Sequence, residues 1–141
     1  MVYHPDFIDT TNPLFGMDYG EFVRGCHLGI FPSFYEPWGY TPLDCLARGV
    51  PAFSSYYRGF GYYVGTYFPD HEDYGAYLLT RHKRKPETVA KDLAIKMFNF
   101  IQLSRRDRMV QRNKAEDLSE NFDWTQLVKH YNAAYEQALL S

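Results

Sequence analysis

A chain of 141 residues with 45% hydrophobic side chains has enough apolar material for one packed core and lies outside the disordered class. Its formal net charge of −2 gives no global attraction to nucleic acid or to an anionic membrane, and no apolar run approaches the ~18 residues of a membrane-spanning helix. Aromatic residues reach 18%, with 13 Tyr and 11 Phe, types that serve apolar cores and also sugar- or base-binding surfaces. Cys26 and Cys45 show no metal or redox spacing, and no secretory signal precedes the first elements. The expected setting is therefore cytoplasmic with reduced thiols, and Cys45 is expected as inert packing inside a helix.

In chain order, residues 1–5 read as the tail of a strand with nothing before it, so either the first strand is very short or the chain is a piece of something larger. Asp18 is placed to cap a helix running to about Gly25. Leu28 to Ser33 reads as a buried strand. Thr41 to Arg48 reads as a helix with Thr41 at the N-cap, Pro42 at the first position and Gly49 as its stop. Val50 to Ser54 is a second strand, Arg58 to Gly65 a loop or helix entry, and Ala76 to Thr80 a third strand. Short strands alternating with short helices imply a parallel α/β sheet. From residue 86 onward glycine is absent and Pro86 is the one proline, so this part reads as helix throughout. The expected helices are Pro86 to about Leu103, with Val89, Leu93, Met97 and Phe100 in helical period, then Arg105 to Leu118, then Asp123 to Leu140, with Leu127, Tyr131, Ala134 and Ala138 on one face.

The chemistry concentrates in Glu36-Pro37-Trp38-Gly39-Tyr40-Thr41-Pro42-Leu43-Asp44, where two carboxylates have seven residues between them. Two readings are open on spacing alone. In the first, Thr41, Pro42 and Asp44 form a capping box, Asp44 satisfies orphan N–H groups of its own helix, and Glu36 is a polar loop residue. In the second, the strand delivers Ser33 to Glu36 at the carboxyl edge of the sheet, where open α/β sheets bind ligands. Gly39 then lets the backbone approach, the N–H groups of Gly39, Tyr40 and Thr41 face a diphosphate, and Asp44 accepts from vicinal hydroxyls such as those of a ribose.

The run Phe31 to Pro42 closely resembles the donor-site motif of eukaryotic-type glycogen synthases, retaining transferases of glycosyltransferase family three with a two-Rossmann-domain (GT-B) architecture. His4 to Phe7, Thr11 to Leu14, Met17 to Tyr19, Glu21 to Gly29, Gly59 to Gly61, Ser104 to Arg108, Gln111 to Asn113 and Asp123-Trp124 are similar to that family in order and spacing, so the resemblance covers essentially the whole chain. It implies a partial Rossmann-like parallel sheet from the C-terminal GT-B domain, followed by closing helices. Residues 1–85 would be the donor-binding part and 86–141 the C-terminal helices of the same domain, with the N-terminal GT-B domain absent. It implies that Glu36 faces the transferred glucose as the catalytic carboxylate. Trp38, Gly39, Tyr40 and Thr41 would hold the diphosphate and glucose, Tyr19 would stack on uracil, and Phe7 would line the same pocket. Asp44 stands where the family has its second glutamate, one methylene shorter.

Arg105, Arg108 and Arg112 fall at i, i+3 and i+7, on one helical stripe. Read from the residues, this is a solvated face partly neutralised by Asp107, Glu116 and Asp117, or else a phosphate site built from guanidinium forks. The resemblance matches it, with His27, to the regulatory helix that senses glucose 6-phosphate, although Lys114 and Asp117 stand where the family has further arginines. Arg81 to Lys85 reads as a solvated basic loop, with the net charge against a nucleic-acid patch. His4 reads as structural. Gly59-Phe60-Gly61 is too short for a dinucleotide fingerprint and reads as a flexible loop near the ligand edge. Tyr56, Tyr57, Tyr62, Tyr63 and Tyr67 fit a carbohydrate-facing surface and burial against a missing domain equally.

The resemblance implies transfer of glucose from UDP-glucose to a glycogen or α-1,4-glucan acceptor with retention, without a cofactor or metal. It implies glucose 6-phosphate as effector and an oligomer in the full-length enzyme, with neither nucleic acid nor membrane as partner. The isolated chain is expected to be catalytically silent. The alternatives are a related nucleotide-sugar transferase with another acceptor, and a non-catalytic module that senses sugar phosphates.

Overall fold

The structure, a computed structural model, describes residues 2, 6–57 and 59–140. The strand tail expected over residues 1–5 falls, apart from residue 2, outside the described residues, as do His4 and Arg58. The elements run α1 (Tyr19–Gly25), β1 (Gly29–Phe31), α2 (Tyr40–Leu46), β2 (Ala52–Ser55), α3 (Gly59–Tyr67), β3 (Ala76–Leu79), α4 (Pro86–Gln102), α5 (Arg105–Ser119), a 3₁₀ turn (Glu120–Phe122) and α6 (Trp124–Leu139). The three strands lie in the order β1-β2-β3 and every pairing is parallel, with Gly29, Ile30 and Phe31 opposite Ala52, Phe53 and Ser54, and Ala52 to Ser55 opposite Ala76 to Leu79. This is the expected α/β architecture.

Alternation along the strands sorts the core into two layers. On one face Ala52 packs with Val23 of α1 and Cys45 of α2, while Ala76 packs with Leu46 of α2, Phe60 and Val64 of α3, and Ala115 and Leu118 of α5. On the other face Phe53, Tyr77 and Leu79 pack against Phe100 of α4, with Leu93 and Met97 beside it. Helices thus cover both faces, and β2 is buried along its whole length, as a central parallel strand requires. Helix α5 belongs to the first of these layers: Ala115 and Leu118 are fully enclosed among residues of α2 and α3.

Local chemistry explains most of the boundaries. The Asp18 carboxylate accepts from Gly20 N, Ser104 from Asp107 N and Asp123 from Thr125 N, capping α1, α5 and α6. Strand β1 is shorter than expected because Pro32 has no N–H with which to continue the ladder. Gly49 stops α2 as expected: its φ is +65°, Gly49 N donates to Leu46 O and Val50 N to Cys45 O, the paired bonds of a Schellman motif. A Cβ at Gly49 would also lie 2.9 Å from Glu116 Oε1. Gly49→Ala is therefore expected to destabilise the fold by about 1–2 kcal/mol, read as a lower urea midpoint at unchanged m-value.

Two expectations are corrected, and a third forms as expected. Thr41 does not cap α2: Gly39 holds that position with φ +110° and no side-chain cap bond, so the Thr41–Asp44 capping box does not form. Gly59-Phe60-Gly61 is no flexible loop but the first turn of α3, with Phe60 and Gly61 buried. Helix α6 forms over the expected residues but contributes no buried residue to the described core.

Candidate functional site

The β1–α2 connection, residues 32–39, leaves the sheet at the carboxyl end of β1 and is held from three sides. Ser55, at the carboxyl end of β2, donates its hydroxyl to Ser33 O, and Arg81, just after β3, donates to Pro32 O while its guanidinium lies 5.9 Å over the Phe34 ring. From α3, Phe60 N donates to Trp38 O. Within the loop, Ser33 Oγ donates to Glu36 Oε2 at 3.4 Å. Gly39 closes the turn: besides its positive φ, a Cβ there would meet Phe60 Cβ at 2.9 Å and Glu36 Cγ at 3.4 Å, so the glycine lets the half-buried Glu36 fold over the start of α2. Tyr40 and Thr41 are exposed, and their N–H groups belong to the first helical turn, which has no intrahelical acceptors.

Trp38 turns away from this edge. Its ring packs with Tyr63 at 6.3 Å and Phe122 at 6.4 Å, so its side chain anchors the loop to the core. Tyr63 belongs to the same aromatic cluster, with Phe68 and Phe122; the exposed Tyr67 ring packs on its outer side, 4.7 Å from Tyr63, and Tyr62 is exposed too. Phe7 stands 88% exposed in the loop before α1; its carbonyl accepts from Asn12 Nδ2, and among the described residues its ring meets no other.

Asp44 has turned neither to Thr41 nor to Glu36. It pairs with Arg48 one helical turn on, 3.6 Å from the guanidinium, which also donates to Asp44 O at 3.0 Å and lies 5.9 Å over the Tyr19 ring. Burial raises the Tyr19 hydroxyl above the ordinary phenol value; the neighbouring Cys45 and Asp44 add to the rise and Arg48 opposes it. The structure therefore joins Tyr19 and Asp44 through Arg48, a residue not singled out in the sequence although the i, i+4 Asp–Arg spacing was its signal. Ser33, Ser55 and Arg81 were missed as loop supports too. Their signal is position, since each sits at or just beyond the carboxyl end of a strand. Cys45 is buried packing within α2: burial foremost, then the nearby Cys26 and Asp44, push its thiol up to about 12.

The family model described as glycogen synthase matches residues 1–141. The chain belongs to the glycogen synthase family. It is 45% identical over 134 residues to the liver glycogen [starch] synthase of Mus musculus, covering 95% of this chain and 19% of that protein. It is 43% identical over 141 residues to glycogen [starch] synthase isoform 2 of Saccharomyces cerevisiae, covering 99% and 20%, and 44% identical over 139 residues to the glycogen [starch] synthase of Caenorhabditis elegans, covering 99% and 21%. The chain thus spans about a fifth of the length of these glycogen synthases.

The arginine stripe of this family member is engaged in the fold. Arg112 donates to Cys26 O at 3.0 Å and to Arg24 O at 3.3 Å, tying α5 to the end of α1, and Arg108 donates to Leu103 O at 3.1 Å and Ile101 O at 3.4 Å, closing the end of α4. Arg105 and His27 are exposed, and His27 directly follows the Cys26 carbonyl that Arg112 holds. Arg112→Ala is expected to destabilise the fold by about 1.5–3 kcal/mol, the range for a charged donor lost from its acceptors, and Arg105→Ala by less than about 0.5 kcal/mol. Thermal or urea unfolding of the two variants checks the contrast. Among the described residues no group of three or more His, Cys, Asp and Glu is clustered to hold a metal, and no helix is long and apolar enough to cross a membrane.

Proposed function

We propose that this chain supplies the nucleotide-sugar side of a glycogen synthase that transfers glucose from UDP-glucose to an α-1,4-glucan with retention. The observation that carries the reading is the placement of Ser33 to Thr41 at the carboxyl edge of a parallel sheet, in a chain whose whole length matches the family. The diphosphate meets the N–H groups of the exposed Tyr40 and Thr41 beside Gly39, which stabilise the negative charge that grows on it as the glycosidic bond breaks. Glu36, steadied by Ser33, faces the glucose and stabilises its oxocarbenium-like state. Trp38 acts through its backbone, its ring serving as the anchor. Tyr19 stacks on the base, Asp44 reaches the ribose, and the exposed Phe7 lines the same pocket.

Residues 1–85 and 86–141 form one donor domain of a GT-B enzyme, and a second domain, outside these residues, brings the acceptor and the other wall of the site. The setting is cytoplasmic and the whole enzyme is an oligomer. Glucose 6-phosphate binds near His27, Arg105, Arg108 and Arg112; a guanidinium has five donors, so those on Arg108 and Arg112 not used on carbonyls remain for phosphate oxygens. The test replaces the matching segment of the mouse liver protein by this chain and assays glucosyl transfer. Transfer from UDP-glucose to glucan by the chimera, and none by the isolated chain, is the expected result. A folded chimera that transfers from no nucleotide sugar would overturn the reading.

A further inference from the structure

Glu36 stands in the middle of a bridge. Residues 34–37 cross the carboxyl edge of the sheet between two anchors. The inner anchor is Trp38, whose carbonyl accepts from Phe60 N and whose ring packs on Tyr63 and Phe122. The outer anchor is Pro32 and Ser33. A tight turn, closed by Ser33 N donating to Phe31 O at 2.9 Å, carries these two past the last paired residue of β1. Their carbonyls therefore accept from side chains instead of a strand ladder. The buried Ser55, at the end of β2, donates to Ser33 O. Arg81, just after β3, donates to Pro32 O, and its guanidinium lies 5.9 Å over the Phe34 ring. Strand β2 lies between β3 and β1, so the Arg81 contact crosses two strand spacings, about 10 Å, and takes a long side chain. On the bridge itself Phe34 is 80% and Tyr35 60% exposed, so core packing does little to restrain it.

We propose that Arg81 is a positioning residue for Glu36. From the far strand it fixes Pro32 and Phe34, and with them the Ser33 hydroxyl that steadies the carboxylate. This inference rests on the donor-site reading above, in which Glu36 faces the transferred glucose. The Ser33 hydroxyl is 3.4 Å from Glu36 Oε2, at the long end of hydrogen-bond range, so a small swing of Ser33 breaks the contact. A carboxylate that stabilises a transition state must be aimed, and a misplacement of ~1 Å costs up to about 10² in rate. The diphosphate is held differently, on the N–H groups of Tyr40 and Thr41. Those lie beyond the inner anchor, which Arg81 does not support. Loss of Arg81 therefore acts on the chemical step and leaves donor binding nearly unchanged.

The experiment measures steady-state transfer from UDP-glucose by the chimera described above, as parent, Arg81→Met, Glu36→Gln and the double variant. Arg81→Met is expected to lower kcat about tenfold, with KM for the donor within about twofold of the parent. Arg81→Lys keeps a donor but not the plane over Phe34, and is expected to lose only about threefold in kcat. In the Glu36→Gln background, Arg81→Met is expected to change kcat by less than about twofold, because no charge is left to aim. Ser55→Ala removes the other support by a single hydroxyl, and carries the same test if Arg81→Met lowers the urea midpoint of the chimera. A kcat within about twofold of the parent in both folded variants, a loss confined to KM, or an undiminished loss in the Glu36→Gln background would overturn the proposal and leave the donor-site reading standing. A folded parent chimera that transfers from no nucleotide sugar would overturn both.

Discussion

Replacing Phe60 by alanine is expected to cost about 3–5 kcal/mol, a large part of the ~5–15 kcal/mol that holds a domain of this size together. Phe60 is 1% exposed and its ring lies 5.1 Å from that of Phe122, in the cluster that joins α2, α3, β3 and α5. Its own N–H holds Trp38 O, so the same turn of α3 fastens the Glu36 loop. The cavity left by the phenyl ring would therefore loosen the core and the site together. Phe98 provides the control: it is 62% exposed on α4, and Phe98→Ala is expected to change stability by less than about 0.5 kcal/mol. Chemical denaturation of both variants reads the difference, and a Phe60→Ala cost below about 1 kcal/mol would contradict the assigned core.

Glu36→Gln in the chimeric enzyme is expected to lower kcat by about 10²–10³, the loss typical of removing one transition-state electrostatic contact, while KM for the donor changes little. Glutamine keeps the side-chain shape over Gly39 and can still accept from Ser33, so the loop stays in place and the charge alone is lost. Steady-state kinetics separate this from a binding effect. A loss confined to KM would place Glu36 in ground-state binding, and a kcat within about threefold of the parent would remove it from the chemistry altogether.

Much of this was legible because local chemistry and tertiary packing agree. Asp18, Ser104 and Asp123 precede helical runs and cap them, and the Val89–Leu93–Met97–Phe100 period gave the buried face of α4. The start of α2 was misread because Thr41-Pro42 has the residues of an N-cap and first position. Gly39 caps the helix by backbone conformation alone, and Pro42, still within the first turn, loses no helical hydrogen bond there. Helix α3 was read as loop at its start because Gly59, Gly61 and Gly65 are poor helix formers. Burial of Phe60 and Val64, one turn apart, overrides that propensity. At the site, the loop and its glycine were visible in the sequence, whereas Ser55 and Arg81 lie 22 and 49 residues along the chain from their carbonyl partners, and only the parallel sheet brings them to Ser33 and Pro32.

An amide-resolved titration of the 141-residue chain with UDP-glucose asks whether Ser33 to Asp44 forms a nucleotide-sugar site. Saturable shifts centred on Gly39, Tyr40 and Thr41, extending to Tyr19 and Asp44 and lost with free glucose alone, are the predicted result. Shifts absent from residues 33–44 at saturating UDP-glucose, or confined to the surface around Arg105, would contradict it.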